Sequence, residues 1–154
     1  MPSNPGGVLY GTLAVGVLLA GESAQRETYG ETAGAVAITL VIYWLAHSYA
    51  SFAAERLEQE RPADLRGLVR TVGHEFSIVL GAGLPLLAVL ISWAAGATLH
   101  AGISAGIWTS AGMVLLTELV SGVRAEQKGW ELAGQVALGA LLGFAVIALK
   151  LVLH

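Results

Sequence analysis

The chain has 154 residues, of which 55% are hydrophobic and 12% charged, about half the ~25% charged content of soluble domains. This composition excludes an ordinary water-soluble globule. With 8 basic against 11 acidic side chains and a net charge of -3, no basic stripe is available to neutralise phosphates, which argues against nucleic acid as a partner. The absence of cysteine excludes disulfides and thiolate metal sites.

Five stretches reach the ~20 apolar residues that a bilayer core requires. They predict spans over 6–25, 32–54, 76–97, 100–123 and 131–153, an all-α polytopic bundle forming a single transmembrane domain over 1–154. The first is the shortest, because its clean apolar run covers only Val8 to Gly21. To cross fully it must take in Glu22 and Arg26, one turn apart and able to pair near the headgroups. A cleaved signal peptide is the competing reading, but no Lys or Arg precedes Val8 to make a basic n-region. In the loop that follows, Glu22, Glu27 and Glu31 surround Arg26, either as a solvated face or as an outer acidic vestibule for cations.

The second span carries Thr39, Tyr43, His47, Ser51 and Glu55 at four-residue steps, a stripe that winds slowly round one side. His47 falls about four residues past the centre, ~6 Å into one half of the membrane. The connection 55–74 begins as a helical extension, breaks at Pro62 and restarts with Asp64 as N-cap. Leu65, Leu68, Val69 and Val72 then follow the i, i+3, i+4, i+7 pattern, with Arg66 and Arg70 on other faces. That spacing predicts a short cytoplasmic amphipathic helix in the headgroup layer. His74 and Glu75 open the third span, in which Gly81, Gly83 and Pro85 predict a kink, read either as a static bend or as a hinge or gate. The fourth span places Glu118 ~10 Å from its centre, in the same half as His47.

Small-residue pairs at Gly7/Gly11, Gly30/Gly34, Gly102/Gly106 and Gly139/Gly143 mark faces for close helix approach and raise the expectation of a homodimer. Arg56, Arg61, Arg66, Arg70, Arg124 and Lys128 all lie in the second and fourth connections, six of the 8 basic residues. By the positive-inside bias these face the cytoplasm, so the N-terminus is expected inside and the C-terminus outside, in the cell inner (plasma) membrane.

Ionisable groups within a span are costly and tend to meet partners or protons. His47 and Glu118, with Glu75, His74 and Glu55 nearer water, therefore form the expected cation or proton site, and His47, Glu118 and Glu75 are the candidate metal ligands. The structural alternative has Glu118 snorkelling to the headgroups and His47 bonded to a backbone carbonyl. No phosphate loop, Ser/His/Asp set or two-histidine zinc motif is present, so no enzyme activity is expected.

The run Gly81-Ala82-Gly83-Leu84-Pro85-Leu86-Leu87 is similar to the Gly-Ala-x-x-Pro-Leu-Leu pattern in the third span of the vacuolar iron transporter family. Tyr49-Ala50-Ser51, followed by Glu55, Glu58 and Glu60, is similar to the inner end of that family's second span. The resemblance implies five spans, an inside N-terminus and proton-coupled export of iron or manganese. The chain departs from the family pattern at Trp44 and Ser48, where methionine and glutamate are expected, and its only aspartate is Asp64. It also resembles small integral membrane proteins of actinobacteria, a likeness that implies no activity. The expected function is thus binding or translocation of a divalent metal cation or protons. A membrane scaffold or accessory subunit that binds another membrane protein is the alternative.

Overall fold

The computed structural model describes residues 5–22, 28–58, 64–126 and 129–153, and they are helical apart from short turns. The elements are α1 (Pro5–Gly21), α2 (Tyr29–Glu58), α3 (Leu65–His74), α4 (Ser77–Ala94), α5 (Leu99–Arg124) and α6 (Trp130–Leu153). The all-helical expectation holds, and the helices occupy the apolar runs. Four helical stretches among the described residues are long and apolar enough to cross a membrane: Tyr29–Leu57, Leu65–Ala94, Leu99–Arg124 and Trp130–Val152. The shorter Gly6–Gly21 is equally apolar in character. Leu138, Leu141, Phe144 and Leu151 on α6, like Ile38, Val41 and Ile42 on α2, are exposed. An exterior of this kind suits hydrocarbon.

A helix that is apolar on every side belongs inside a bundle. α1 has that composition and sits between α4 and α5, with α6 and α2 touching it less. Val15, Leu19 and Ala20 of α1 share the core with Ile78, Ala82 and Val89 of α4 and Ile103 and Ile107 of α5. Glycine sets the spacing at the α1–α4 crossing. A methyl group on Gly11 would strike the Ile78 carbonyl, and one on Gly81 the Val8 carbonyl.

The same crossing explains how α4 tolerates Pro85. Proline has no N–H, so the carbonyl four residues earlier, that of Gly81, loses its helical donor. The fully buried Thr12 supplies a replacement, its Oγ1 lying 2.9 Å from the Gly81 carbonyl and 2.8 Å from that of Val8. Ser110 Oγ in turn donates to the Thr12 carbonyl at 3.0 Å. Two hydroxyls therefore tie α5, α1 and α4 together, and the freed carbonyl is held from α1.

Contacts sort the helix ends into two groups. At one, Lys150 Nζ donates to the Glu22 carbonyl at 2.9 Å, placing a cation at the C-terminal end of α1 where the helix dipole favours it. Tyr29 Oη donates to the Thr98 carbonyl at 2.7 Å, in space left by Gly102. α4 stops earlier than the predicted 97. Gly96 adopts φ 75°, and Gly96 N and Ala97 N donate to the carbonyls of Trp93 and Ser92, a Schellman closure that caps the helix. At the opposite end lie α3 and the α5–α6 connection, where Glu126 takes φ 55°.

Candidate functional site

α3 is built by a cap and held by an indole. Asp64 accepts from Arg66 N at 3.1 Å, as its position before the helix predicts. Trp44 Nε1 donates to the Val72 carbonyl at 3.2 Å, and its ring meets Phe76 edge-on with centroids 5.6 Å apart. Gly67 allows Phe52 of α2 to approach α3 closely. Only Glu75 and Phe76 separate α3 from α4. This corner fixes Glu75 against the side of α2.

Glu75 is 12% exposed and lies between two imidazoles. His47 Nε2 stands 3.7 Å from Oε2, and His74 Nδ1 stands 3.5 Å from Oε1. Tyr10 of α1 stacks on Tyr43 at 5.1 Å and tilts against His47 at 5.4 Å, closing the cluster on its apolar side. On its other side Glu75 and His74 line a cleft of about 820 Å³ between α2 and α3, with Ser51, Glu55, Arg66 and Arg70. Ser48, beside His47, is fully buried, and its hydroxyl has no hydrogen-bond partner among the described residues.

Among the expected site residues, His47, His74, Glu75 and Glu55 therefore share one neighbourhood. Glu118 does not join them. It lies between α5 and α6, where Gln135 Nε2 donates to its Oε2 at 2.8 Å and Gly139 leaves room for its side chain. The sequence puts it in the same half of the membrane as His47, but its side chain turns toward α6. Among the described residues no three His, Asp or Glu side chains converge as a metal cage in their present rotamers.

In the acidic loop, Thr28 and Glu31 form a reciprocal capping box at the start of α2. Thr28 N donates to Glu31 Oε2 at 2.8 Å, and Glu31 N donates to Thr28 Oγ1 at 3.3 Å. Glu31 thus has a structural task. The backbone carbonyl of Glu22 receives Lys150, while Glu27 and Arg26 lie outside the described residues. Gly81 and Pro85 belong to the α1 crossing, and Gly83 faces open space.

Residues that the sequence alone does not single out include Thr12, Tyr10 and Gln135. Gln135 had a readable signal, since it is the one polar side chain between Glu131 and Lys150 in α6 and mirrors Glu118 across the α5–α6 connection. Tyr10 had none, because nothing in its spacing announces that α1 is central.

These features define an all-helical protein whose apolar helices suit a membrane bundle, with a titratable cluster at one end. No protein-family model, curated protein or solved structure matches the chain.

Proposed function

We propose that the protein is a five-span inner-membrane protein with an inside N-terminus, and that it binds and passes a cation at the His47–Glu75–His74 cluster. In this topology α3 lies in the inner headgroup layer, with Leu65 and Val69 turned to lipid. The cation is a proton or a divalent metal ion exchanging with protons. The observation that carries the reading is a carboxylate largely withdrawn from solvent and flanked by two imidazoles, at the mouth of a polar cleft. Imidazole is the side chain that ordinarily exchanges protons near neutrality, and imidazole with carboxylate also suits iron- or manganese-type ions. Ligation would require side-chain rotation to draw both nitrogens and the carboxylate to ~2.0–2.2 Å from one ion. The resemblance to vacuolar iron transporters supports a transported rather than a resident metal.

The test is reconstitution into liposomes containing a manganese- or pH-sensitive dye. The expected result is flux above protein-free vesicles, lost in Glu75→Gln and His47→Ala and retained in Glu118→Gln. Flux that is absent, or equal in Glu75→Gln, overturns the proposal.

One observation favours a second reading, a scaffold or accessory subunit that binds another membrane protein, or a second copy of itself, through a glycine face. Gly30 and Gly34 are spaced for helix pairing, and neither has an atom within 4 Å of where a side chain would begin. Gly30→Ile would disrupt such a contact, and an unchanged mass by light scattering in detergent would count against it.

A further inference from the structure

The stripe Thr39, Tyr43, His47, Ser51 and Glu55 changes character along α2. Its first part lines an apolar groove of about 350 Å³ between α1 and α2, with Tyr10, Leu13, Val17 and Leu18 as the other walls. His47 follows, touching the Tyr10 ring on the groove side and Glu75 on the cleft side. Ser51 and Glu55 then line the polar cleft. Groove and cleft are separate cavities on one side of α2, and the His47 imidazole stands between them in contact with a wall of each.

The stripe has the length of a lipid. From Tyr43, at the centre of its span, to Glu55 the helix rises roughly 18 Å at ~1.5 Å per residue, and Thr39 lies about 6 Å beyond the midplane, within reach of an acyl-chain end. One leaflet with its headgroups is about 20–22 Å deep, half of a 40–45 Å bilayer. The polar end is also charged in a specific way. Arg66 and Arg70 line the cleft, and no carboxylate among the described residues lies within salt-bridge reach of either. Guanidinium groups match phosphate geometry. Glu55, Asp64 and Glu75 line the same cleft, so a purely anionic headgroup would meet repulsion as well as attraction. A headgroup carrying both a phosphate and an N–H-bearing ammonium satisfies both sets, and a quaternary ammonium has no donor to offer the carboxylates.

We propose that this stripe seats one phospholipid of the ethanolamine type, with its phosphate at Arg66 and Arg70, its ammonium among the cleft carboxylates and an acyl chain in the Tyr10–Tyr43 groove. The site rests on the reading that places α3 at the headgroup layer. It does not depend on cation flux.

The experiment is native mass spectrometry of the full chain from detergent, incubated with equal amounts of phosphatidylethanolamine, phosphatidylcholine and phosphatidylglycerol of identical chains. The expected result is at least about tenfold preferential retention of the ethanolamine lipid. Arg66→Gln with Arg70→Gln, and separately Thr39→Phe to fill the groove from an exposed position, should each reduce that retention about tenfold. Soluble glycerophosphoethanolamine in equal amount should not displace the lipid. Equal retention of all three lipids overturns the proposal, as does unchanged retention in both variants when their thermal midpoints match that of the parent. Displacement by the soluble headgroup overturns the acyl-chain half and identifies a water-borne phosphoethanolamine ligand. Flux retained in the Arg66→Gln, Arg70→Gln variant that loses the lipid separates this site from the cation reading.

Discussion

Replacing Thr12 by valine preserves the side-chain shape and removes the hydroxyl on which the Gly81 carbonyl depends. The carbonyl is buried and has no helical donor because Pro85 stands four residues later. Leaving such a group unpaired costs about 1–3 kcal/mol in general, whereas hydrogen bonds between membrane helices average about 0.6 and reach about 1.7 kcal/mol. The lower scale applies here, since Thr12 also bonds to the Val8 carbonyl of its own helix and only part of its donor capacity crosses to α4. A loss of about 1 kcal/mol is expected, near fivefold in the unfolding equilibrium. Pro85→Ala returns an N–H to the position that faces the Gly81 carbonyl, so Thr12→Val should cost much less in that background. The four proteins of this cycle, unfolded reversibly in mixed micelles by increasing SDS, give the coupling directly, whatever each single substitution does alone. Equal costs of Thr12→Val in both backgrounds would refute the account of how the Gly81 carbonyl is satisfied.

The remaining expectations use the same geometry. Gly11→Ala and Gly81→Ala should each destabilise by more than about 2 kcal/mol because backbone blocks the added methyl, whereas Gly83→Ala should be neutral or stabilise by up to about 1 kcal/mol. The same SDS titration compares them, and a tolerated Gly81→Ala would contradict the close crossing. Gly96→Ala should lose about 1 kcal/mol through its φ of 75°, while Glu126→Gly should gain a similar amount at φ 55°, as thermal midpoints in detergent would report. Ser48→Ala removes an unpartnered buried hydroxyl and should raise the midpoint or leave it unchanged; a loss above about 1 kcal/mol would mean that the hydroxyl has a partner.

What could be read from the sequence divides along a physical line. Helix positions follow from apolar length, and the α3 cap follows from Asp64, because these are local properties of the chain. Depth along a span is equally legible, being residue count times rise. Rotation about the span axis is not. Helices that are apolar on nearly every side carry no stripe to say which way a polar residue points. Placement in the same half of the membrane therefore paired His47 with Glu118 as readily as with Glu75, and only the rotation of α5 shows that Glu118 turns toward α6 instead. Thr12 was unreadable for a related reason. Its value comes from a proline on a helix distant in sequence, and nothing around residue 12 hints that the two will touch.

The central place of α1 also bears on how the protein is made. The ribosome delivers α1 before the other five helices, yet α1 finds most of its neighbours in α4, α5 and α6, and its contact with α2, the next helix to emerge, is slight. Until α4 leaves the translocon, the notch at Gly11 and the hydroxyl of Thr12 face either lipid or a chaperone. α1, made before α4, is therefore late to settle, and a nascent chain arrested before Pro85 should still have α1 open to crosslinking with insertion machinery.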